Sequence, residues 1–200
     1  MREHFFNFLK LILALLLIPL TAIVTISFIK SLTGLTHAEE HFFRMGILIY
    51  VIVHTFIFEP QGIYQFGQKL TSSLFGFYPP LANVGPRILP IYTLLSLIFF
   101  YFIYFFYNKS EYGIYFMFLA GFTLALHIVL TAKELREEGK SAFSPNYLLF
   151  IQLIYLFIIF LILGIFTLII PKFSFSYFFY STVASIKNYY AAIFHQLFVP

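Results

Sequence analysis

The 200-residue sequence is 61% hydrophobic and only 10% charged, which leaves too little polar surface for a water-soluble globule. The class that fits is an integral membrane protein with a single membrane domain. The net charge of +4 is spread over several loops, so it indicates membrane topology rather than a nucleic-acid-binding patch. The sequence contains no cysteine, which excludes disulfides, thiolate metal sites and cysteine nucleophiles.

Five segments reach or approach the length of about 20 apolar residues that a membrane-spanning helix needs, and a sixth, more polar segment lies among them. In chain order these segments are Phe6–Ile29, Phe42–Phe58, the polar Gln61–Phe77, Ile88–Tyr107, Tyr112–Thr131 and Tyr147–Ile170. The first is interpreted as an uncleaved membrane helix, since its apolar run is too long for the hydrophobic region of a signal peptide. We expect Pro19 to kink this helix, and Pro79-Pro80 to end the polar segment.

Two further segments are polar on at least one side. The mixed charges of Ala132–Asn146 predict a solvated helix end followed by a turn. The aromatic tail, Phe173–Pro200, predicts a helix with a narrow polar stripe, made of Ser181, Ser185, Asn188 and His195. Such a helix could pack as a further span, but we favour one that lies in the membrane interface.

The predicted fold is therefore all-α. It is a polytopic integral membrane protein with about six transmembrane or membrane-embedded helices in residues 1–172, followed by an aromatic amphipathic helix in residues 173–200. Lysine and arginine occur in almost every loop, so the positive-inside rule does not fix the orientation of these helices.

The polar segment Gln61–Phe77 has a pattern that suggests a former metal site. On a helix, Gln68 and Ser72 lie at i and i+4 and share a face, and Lys69 is turned about 100° from Gln68. This is the frame of H-E-x-x-H, in which two histidines bind zinc and the glutamate between them activates a metal-bound water. Where that frame reads G-H-E-L-T-H, this chain reads G-Q-K-L-T-S, so only the three residues without a chemical role match.

In these stretches the chain resembles a small bacterial branch of the site-2-protease-like family, the membrane-embedded zinc metallopeptidases. Members of that branch carry a variant of Y-x-F-G-H-E-L-T-H-A-L after a short apolar helix that ends in proline, and this chain has FEPQGIYQFGQKLTSSL. Two later stretches also look similar, GPRILPIYTLL (85–95) and GFTLALHIVLTAKEL (121–135). The resemblance runs from the first helix to about Ile170 and implies a helical fold in a bacterial inner membrane.

The same resemblance places this chain outside the active members. Gln68 and Ser72 stand where the family has its histidine ligands, and neither side chain is a good zinc ligand. Lys69 stands in place of the general base, where its positive charge would repel the metal. We therefore expect no catalytic residue, no bound metal and no cofactor. The predicted function is that of a pseudoprotease, which acts as a subunit, assembly factor or scaffold for another membrane protein, with the lipid bilayer as its other partner and no nucleic acid.

A polar cluster inside the membrane is the predicted binding site. Polar residues within membrane segments tend to face the bundle interior or a water-filled cleft. The cluster comprises Gln68, Lys69, Ser72, Thr123 and His127, and Thr131 continues the stripe that Thr123 and His127 form at i and i+4. Lys69 is interpreted first as a snorkelling side chain, and second as a buried cation whose nearest carboxylate in sequence is that of Glu59.

Two other functions stay open. An active zinc metallopeptidase would need a non-standard site, for which His54 and His127 together with a carboxylate are the fallback ligands. A small transporter or lipid-handling protein would use Gln68, Lys69, Ser72 and His127 as a polar pocket. The sequence shows no inverted repeat or pair of broken helices, so it gives the transporter the least support.

Overall fold

The structure is a computed structural model that describes residues 2–107, 112–139, 144–170 and 173–198. These residues contain eight α-helices and no strand, which confirms the all-α prediction. The helices are α1 (Arg2–Ser31), α2 (His37–Ile52), α3 (Gln61–Leu74), α4 (Pro79–Ile88), α5 (Ile91–Tyr107), α6 (Gly113–Gly139), α7 (Pro145–Ile169) and α8 (Phe175–Phe198). A 3-10 turn, Leu32–Gly34, follows α1, and a π-helical turn, Val53–Ile57, extends α2.

Several described helices are suited to a membrane. Four are long and apolar enough to cross one, namely Phe5–Gly34, His37–Ile57, Gly113–Glu138 and Pro145–Ile169. The pair α4 and α5 is bent by 70° at Pro90 and would supply a fifth span if both helices belong to one crossing. These helices support the prediction of a membrane protein. The predicted number of six membrane segments additionally counts α3, which is shorter and more polar than the others.

The described chain forms two compact units. One consists of residues 1–35 and 143–200 and contains α1, α7 and α8, and the other consists of residues 36–142 and contains α2 to α6. Within the first unit, α8 packs against α1 and α7. The predicted boundary after residue 172 lies outside the described residues, because residues 171 and 172 are not among them. The interfacial location of the tail stays a prediction.

Apolar packing and neutral hydrogen bonds hold the unit of α1, α7 and α8 together. α1 continues through Pro19 as one helix and packs against α7, whose side chains Ile162, Leu163 and Phe166 are completely buried. Thr21 donates to the Gln152 side-chain oxygen over 3.3 Å. Thr25 and the Tyr155 hydroxyl are 3.1 Å apart. Uncharged pairs of this kind satisfy polar groups inside a membrane without burying a charge.

A close helix pair organises the unit of residues 36–142. A Cβ atom at Gly46 in α2 would lie 2.1 Å from the Phe118 carbonyl oxygen of α6. A Cβ atom at Gly121 in α6 would lie 2.2 Å from the Phe43 carbonyl oxygen of α2. Only glycine fits at both positions, so the two backbones touch, as small residues allow in membrane helix pairs.

The structure corrects the prediction for the segment between the polar helix and α5. Pro79 and Pro80 do end the turn after α3, but they also begin α4, which the sequence analysis did not predict. Proline favours the first positions of a helix because its fixed φ suits the helix and its missing N–H needs no partner there. The predicted span Ile88–Tyr107 accordingly divides, with Ile88 in α4 and the span proper beginning at Ile91.

The mixed-charge segment Ala132–Asn146 begins as the predicted helix end. α6 continues to Gly139, so Lys133, Glu134, Glu137 and Glu138 lie on its last two turns. Residues 140–143, which include Lys140 and the predicted turn, lie outside the described residues. The extension of α6 beyond its apolar part carries the charges that build the candidate site.

Candidate functional site

The polar helix α3 is fixed against its neighbours by one face. Tyr64, Gly67 and Thr71 are buried on that face. A Cβ atom at Gly67 would lie 2.7 Å from the Tyr92 ring, so glycine permits α3 to approach α5 closely. The Tyr92 hydroxyl donates a hydrogen bond to the Ile63 carbonyl oxygen over 2.5 Å. Both contacts hold α3 against the start of α5.

Glu134 of α6 is the centre of the polar contacts. Its Oε2 atom accepts hydrogen bonds from the Gln68 amide over 2.5 Å and from the Tyr64 hydroxyl over 3.0 Å. Its Oε1 atom accepts from the Arg87 guanidinium over 3.2 Å. Arg87 also pairs with Glu138, one turn further along α6. The carboxylate of Glu134 therefore joins α3, α4 and α6.

Tyr64 is the buried polar group of this network. Besides contacting Glu134, its hydroxyl lies 2.9 Å from the Thr131 hydroxyl. Burial raises the pKa of Tyr64 well above its usual range, and the charge of Glu134 adds to the rise. The phenol therefore stays neutral at any physiological pH and continues to donate its hydrogen bond to the carboxylate.

His127 lies beside this network with a structural contact of its own. The side chain is 4% exposed, and its ring centre is 6.1 Å from that of Tyr64. Its Nε2 atom is 3.0 Å from the Arg87 carbonyl oxygen. A carbonyl oxygen can only accept, so Nε2 carries the proton of this bond. The contact joins His127 of α6 to the end of α4.

A second ion pair ties the segment after α2 to α6. The Lys133 ammonium contacts both carboxylate oxygens of Glu59 at 2.7 Å, and it lies 3.8 Å from Glu137. The sequence analysis named Glu59 as the nearest carboxylate for Lys69. That pairing is wrong, because α6 brings Lys133 to Glu59 whereas the Lys69 side chain is exposed on α3.

The remaining predicted residues lie apart from Glu134. The Ser72 hydroxyl donates to the Ala82 carbonyl oxygen of α4 over 3.0 Å. The Thr123 hydroxyl lies 2.9 Å from that of Thr93 in α5. Of the predicted cluster, the structure thus brings Gln68 and His127 into one network and places Lys69, Ser72 and Thr123 elsewhere.

A cavity of about 230 Å³ opens between α3 and α6. Seven polar or charged residues and one apolar residue line it, namely Gln61, Tyr64, Gln65, Gln68, Leu130, Lys133, Glu134 and Glu137. Gln68 is the one member of the predicted cluster among these lining residues. Amides, carboxylates and a lysine that is already paired suit the binding of a small polar group rather than nucleophilic attack on a substrate.

The fallback zinc ligands are not assembled into a metal site. His54 stacks on Tyr50 with ring centres 5.7 Å apart, and its Nδ1 atom has no hydrogen-bond partner in the described part of the chain. Within residues 2–107, 112–139, 144–170 and 173–198, no group of three or more histidine or acidic side chains could hold a metal ion. A zinc site normally needs at least three such protein ligands.

Sequence reasoning missed the two most connected residues, Glu134 and Arg87. Arg87 was counted only as a loop charge, and Glu134 was assigned to a solvated helix end. One signal could have identified the glutamate. The stripe of Thr123, His127 and Thr131 continues at Glu134, at i+11, which lies on the same helix face.

Comparison with known protein families, curated proteins and solved structures finds no match to this chain. The resemblance to the site-2-protease-like family therefore stays a prediction that rests on the quoted stretches. The functional argument rests on the contacts described above.

Proposed function

We propose that this chain is a polytopic membrane protein of a bacterial inner membrane that keeps a metallopeptidase-like helical frame without its catalytic metal. It would act as a non-catalytic subunit, assembly factor or scaffold for another membrane protein. One observation carries the proposal. The positions where a metallopeptidase would hold and activate zinc serve internal contacts or point outward, since Gln68 bonds to Glu134, Ser72 bonds to Ala82 and Lys69 is exposed.

The hydrogen bonds that Glu134 already accepts support a structural role for α3. A catalytic zinc site needs ligands that are free to bind the metal and an open position for water. Glu134 already accepts hydrogen bonds from Gln68, Tyr64 and Arg87. These contacts would have to break before the carboxylate could bind a metal, so they favour a fixed helix junction over a reaction centre.

The outer surface of α5 suits contact with lipid or with another membrane protein. Phe99, Phe102, Phe105 and Phe106 are all largely exposed, and Phe105 is 81% exposed. Inside a bilayer such a face costs little in lipid and can also pack against a partner helix. The exposed aromatic face of α5 is therefore where we expect a partner to bind.

The first test is the metal content of the detergent-purified protein, measured by elemental analysis against protein concentration. We expect zinc at background level. As a matched comparison, the triple variant Gln68→His, Lys69→Glu, Ser72→His restores the three chemical residues of the motif and removes the bond between position 68 and Glu134. We expect this variant to bind more zinc than the unchanged protein. Near-stoichiometric zinc in the unchanged protein would contradict the proposal.

The second test concerns the partner. A photo-reactive phenylalanine analogue replaces Phe105, and a control variant carries it at Phe116, which is 2% exposed. We expect illumination of cells to give one discrete protein adduct from position 105 and none from position 116. Adducts with lipid alone, at a surface this exposed, would argue against a scaffold.

A second candidate function is favoured by the cavity between α3 and α6. Its polar walls could hold part of a small molecule or lipid, as a lipid-handling protein or transporter requires. We rank this function second because it needs a ligand, and the chemistry of that ligand has to be argued separately.

A further inference from the structure

The α3 wall of the cavity presents amides that are still free to bind. Gln61, Gln65 and Gln68 lie at i, i+4 and i+7 and line the cavity together. Gln68 is held by Glu134. The side-chain amides of Gln61 and Gln65 are exposed and make no hydrogen bond to any described residue. Each offers an acceptor oxygen with two lone pairs.

The α6 side of the cavity carries an excess of negative charge. Four carboxylates, those of Glu59, Glu134, Glu137 and Glu138, share the two cations Arg87 and Lys133. This local excess occurs in a chain with a net charge of +4. Within this set of ion pairs the carboxylates outnumber the cations, which favours a cationic ligand over an anionic one.

Among these four carboxylates, that of Glu137 is the most available to pair with a further cation. Its only ion pair in the described residues is with Lys133 at 3.8 Å, and that ammonium is already bound at 2.7 Å by Glu59. The Glu137 side chain is 62% exposed. A carboxylate can accept several hydrogen bonds, so Glu137, which lines the cavity, can accept further ones.

The shape and chemistry of the cavity narrow the class of ligand. The described residues offer no group of three metal ligands, so a bare divalent cation is poorly matched. A primary ammonium group carries three N–H donors, which match a carboxylate on one wall and two amide oxygens on the other. A volume of about 230 Å³ leaves room for a short carbon chain behind the ammonium.

We propose that the cavity between α3 and α6 binds a primary ammonium group, with Glu137 as its counter-ion and the Gln61 and Gln65 side chains as acceptors. The group can belong to the headgroup of an aminophospholipid or to a small soluble amine, because both present the same chemistry. The inference is independent of the scaffold function, which rests on the metal-site positions and on the surface of α5.

The test measures ligand binding by the full-length protein. For the lipid source, the protein is reconstituted in nanodiscs with equal amounts of phosphatidylethanolamine and phosphatidylcholine with the same acyl chains, and retained lipid is identified by native mass spectrometry. For the soluble source, ethanolamine and choline are titrated and binding is followed by calorimetry. Choline and phosphatidylcholine carry no N–H donor, so they are matched controls for the ammonium chemistry.

We expect selective retention of phosphatidylethanolamine, selective binding of ethanolamine, or both, and each result supports the site while identifying its source. Equal retention of the two lipids together with equal binding of ethanolamine and choline would overturn the proposal.

Variants then locate the site. Glu137→Gln should weaken ammonium binding about tenfold, since it removes a charged hydrogen bond. Gln65→Leu should weaken it about threefold to tenfold through the loss of a neutral acceptor. The control Glu40→Gln removes the same charge from an exposed pair with Arg44 at the start of α2 and should bind like the unchanged protein. If Glu137→Gln also bound like the unchanged protein, the assignment of the site would be wrong.

Discussion

The two compact units satisfy their polar side chains with different kinds of contact. In the unit of α1, α7 and α8, the described cross-helix side-chain bonds between partly buried groups are neutral, such as those of Thr21 with Gln152 and Thr25 with Tyr155. In the unit of residues 36–142, the charged residues of α6 pair with those of neighbouring segments. Every ion pair that the structure describes lies in this second unit.

This difference indicates where function resides. A charge in the middle of a membrane is expensive, so ionisable groups near a span usually serve a purpose. The ion pairs of Glu134 and Lys133 lie at the end of α6, beyond its apolar part, and they surround the polar cavity. The neutral contacts of the first unit are compatible with lipid surroundings, whereas the second unit combines a tight helix pair with a polar end that lines a cavity.

The largest expected effect comes from the tight helix pair of the second unit. Gly46→Ala would place a Cβ atom 2.1 Å from the Phe118 carbonyl oxygen, and the backbone of α6 cannot yield cheaply. We expect a loss of about 3 kcal/mol in the free energy of unfolding, the upper end of the usual cost of overpacking. The matched control is Gly164→Ala in α7, where nothing lies within 4 Å of the added atom. It should be neutral or stabilise by up to about 1 kcal/mol, through better helix propensity.

Both units can be followed separately because the chain has no cysteine. Single cysteines at the buried positions Ala14 and Ala125 report on the first and the second unit through their labelling rates during a detergent-denaturant titration. Gly46→Ala should expose the cysteine at 125 at lower denaturant. An unchanged midpoint at position 125 would show that α2 and α6 are not packed this closely.

The next effect tests the centre of the polar contacts. Glu134→Ala removes the acceptor that three side chains share, those of Gln68, Tyr64 and Arg87. We expect a loss of about 2 kcal/mol, as for hydrogen bonds to a charged group. The labelling midpoint at position 125 measures it. Glu40→Gln, whose carboxylate pairs with the exposed Arg44, should change that midpoint by less than about 0.5 kcal/mol. If both variants changed the labelling midpoint equally, Glu134 would not be the centre of the polar contacts.

The corresponding variant in the first unit should matter less. Gln152→Leu keeps the volume of the side chain and removes its hydrogen bonds with Thr21 and with the carbonyl oxygen of Ala14. We expect a loss of about 1 kcal/mol, the usual value for a neutral bond, because leucine gains apolar packing in return. The cysteine at position 14 reports it. If Gln152→Leu lowered the free energy of unfolding as much as Glu134→Ala, the neutral contacts of the first unit would matter as much as the charged contacts of the second.

The sequence predicted the helices better than it predicted the site. Long apolar runs identify α1, α2, α6 and α7 because a membrane span has one dominant requirement, about 20 apolar residues. The sequence analysis did not predict α4, because it interpreted Pro79 and Pro80 as the end of the polar segment. Proline is also favoured at the first positions of a helix.

The site was less predictable because its contacts join residues that are far apart in the chain. Gln68 and His127 were singled out as unusual polar residues, and the structure does place both beside Tyr64 and Glu134. Sequence spacing could not show that Arg87 meets Glu134, or that Lys133 rather than Lys69 meets Glu59. Those pairings depend on how α3, α4 and α6 pack against each other.

The smallest expected effect is that of a substitution at Lys69, the lysine within the motif frame of α3. Lys69 stands at the position of a general base, yet its side chain is exposed on α3 and it does not line the cavity. Lys69→Gln should therefore change stability by less than about 0.5 kcal/mol, as for other exposed positions without a special contact. It should leave ammonium binding unchanged as well, whereas Glu137→Gln weakens it. A Lys69→Gln variant that destabilised the unit or altered binding would show that α3 presents its other face to α6, and the assignment of Gln68 to Glu134 would then fall with it.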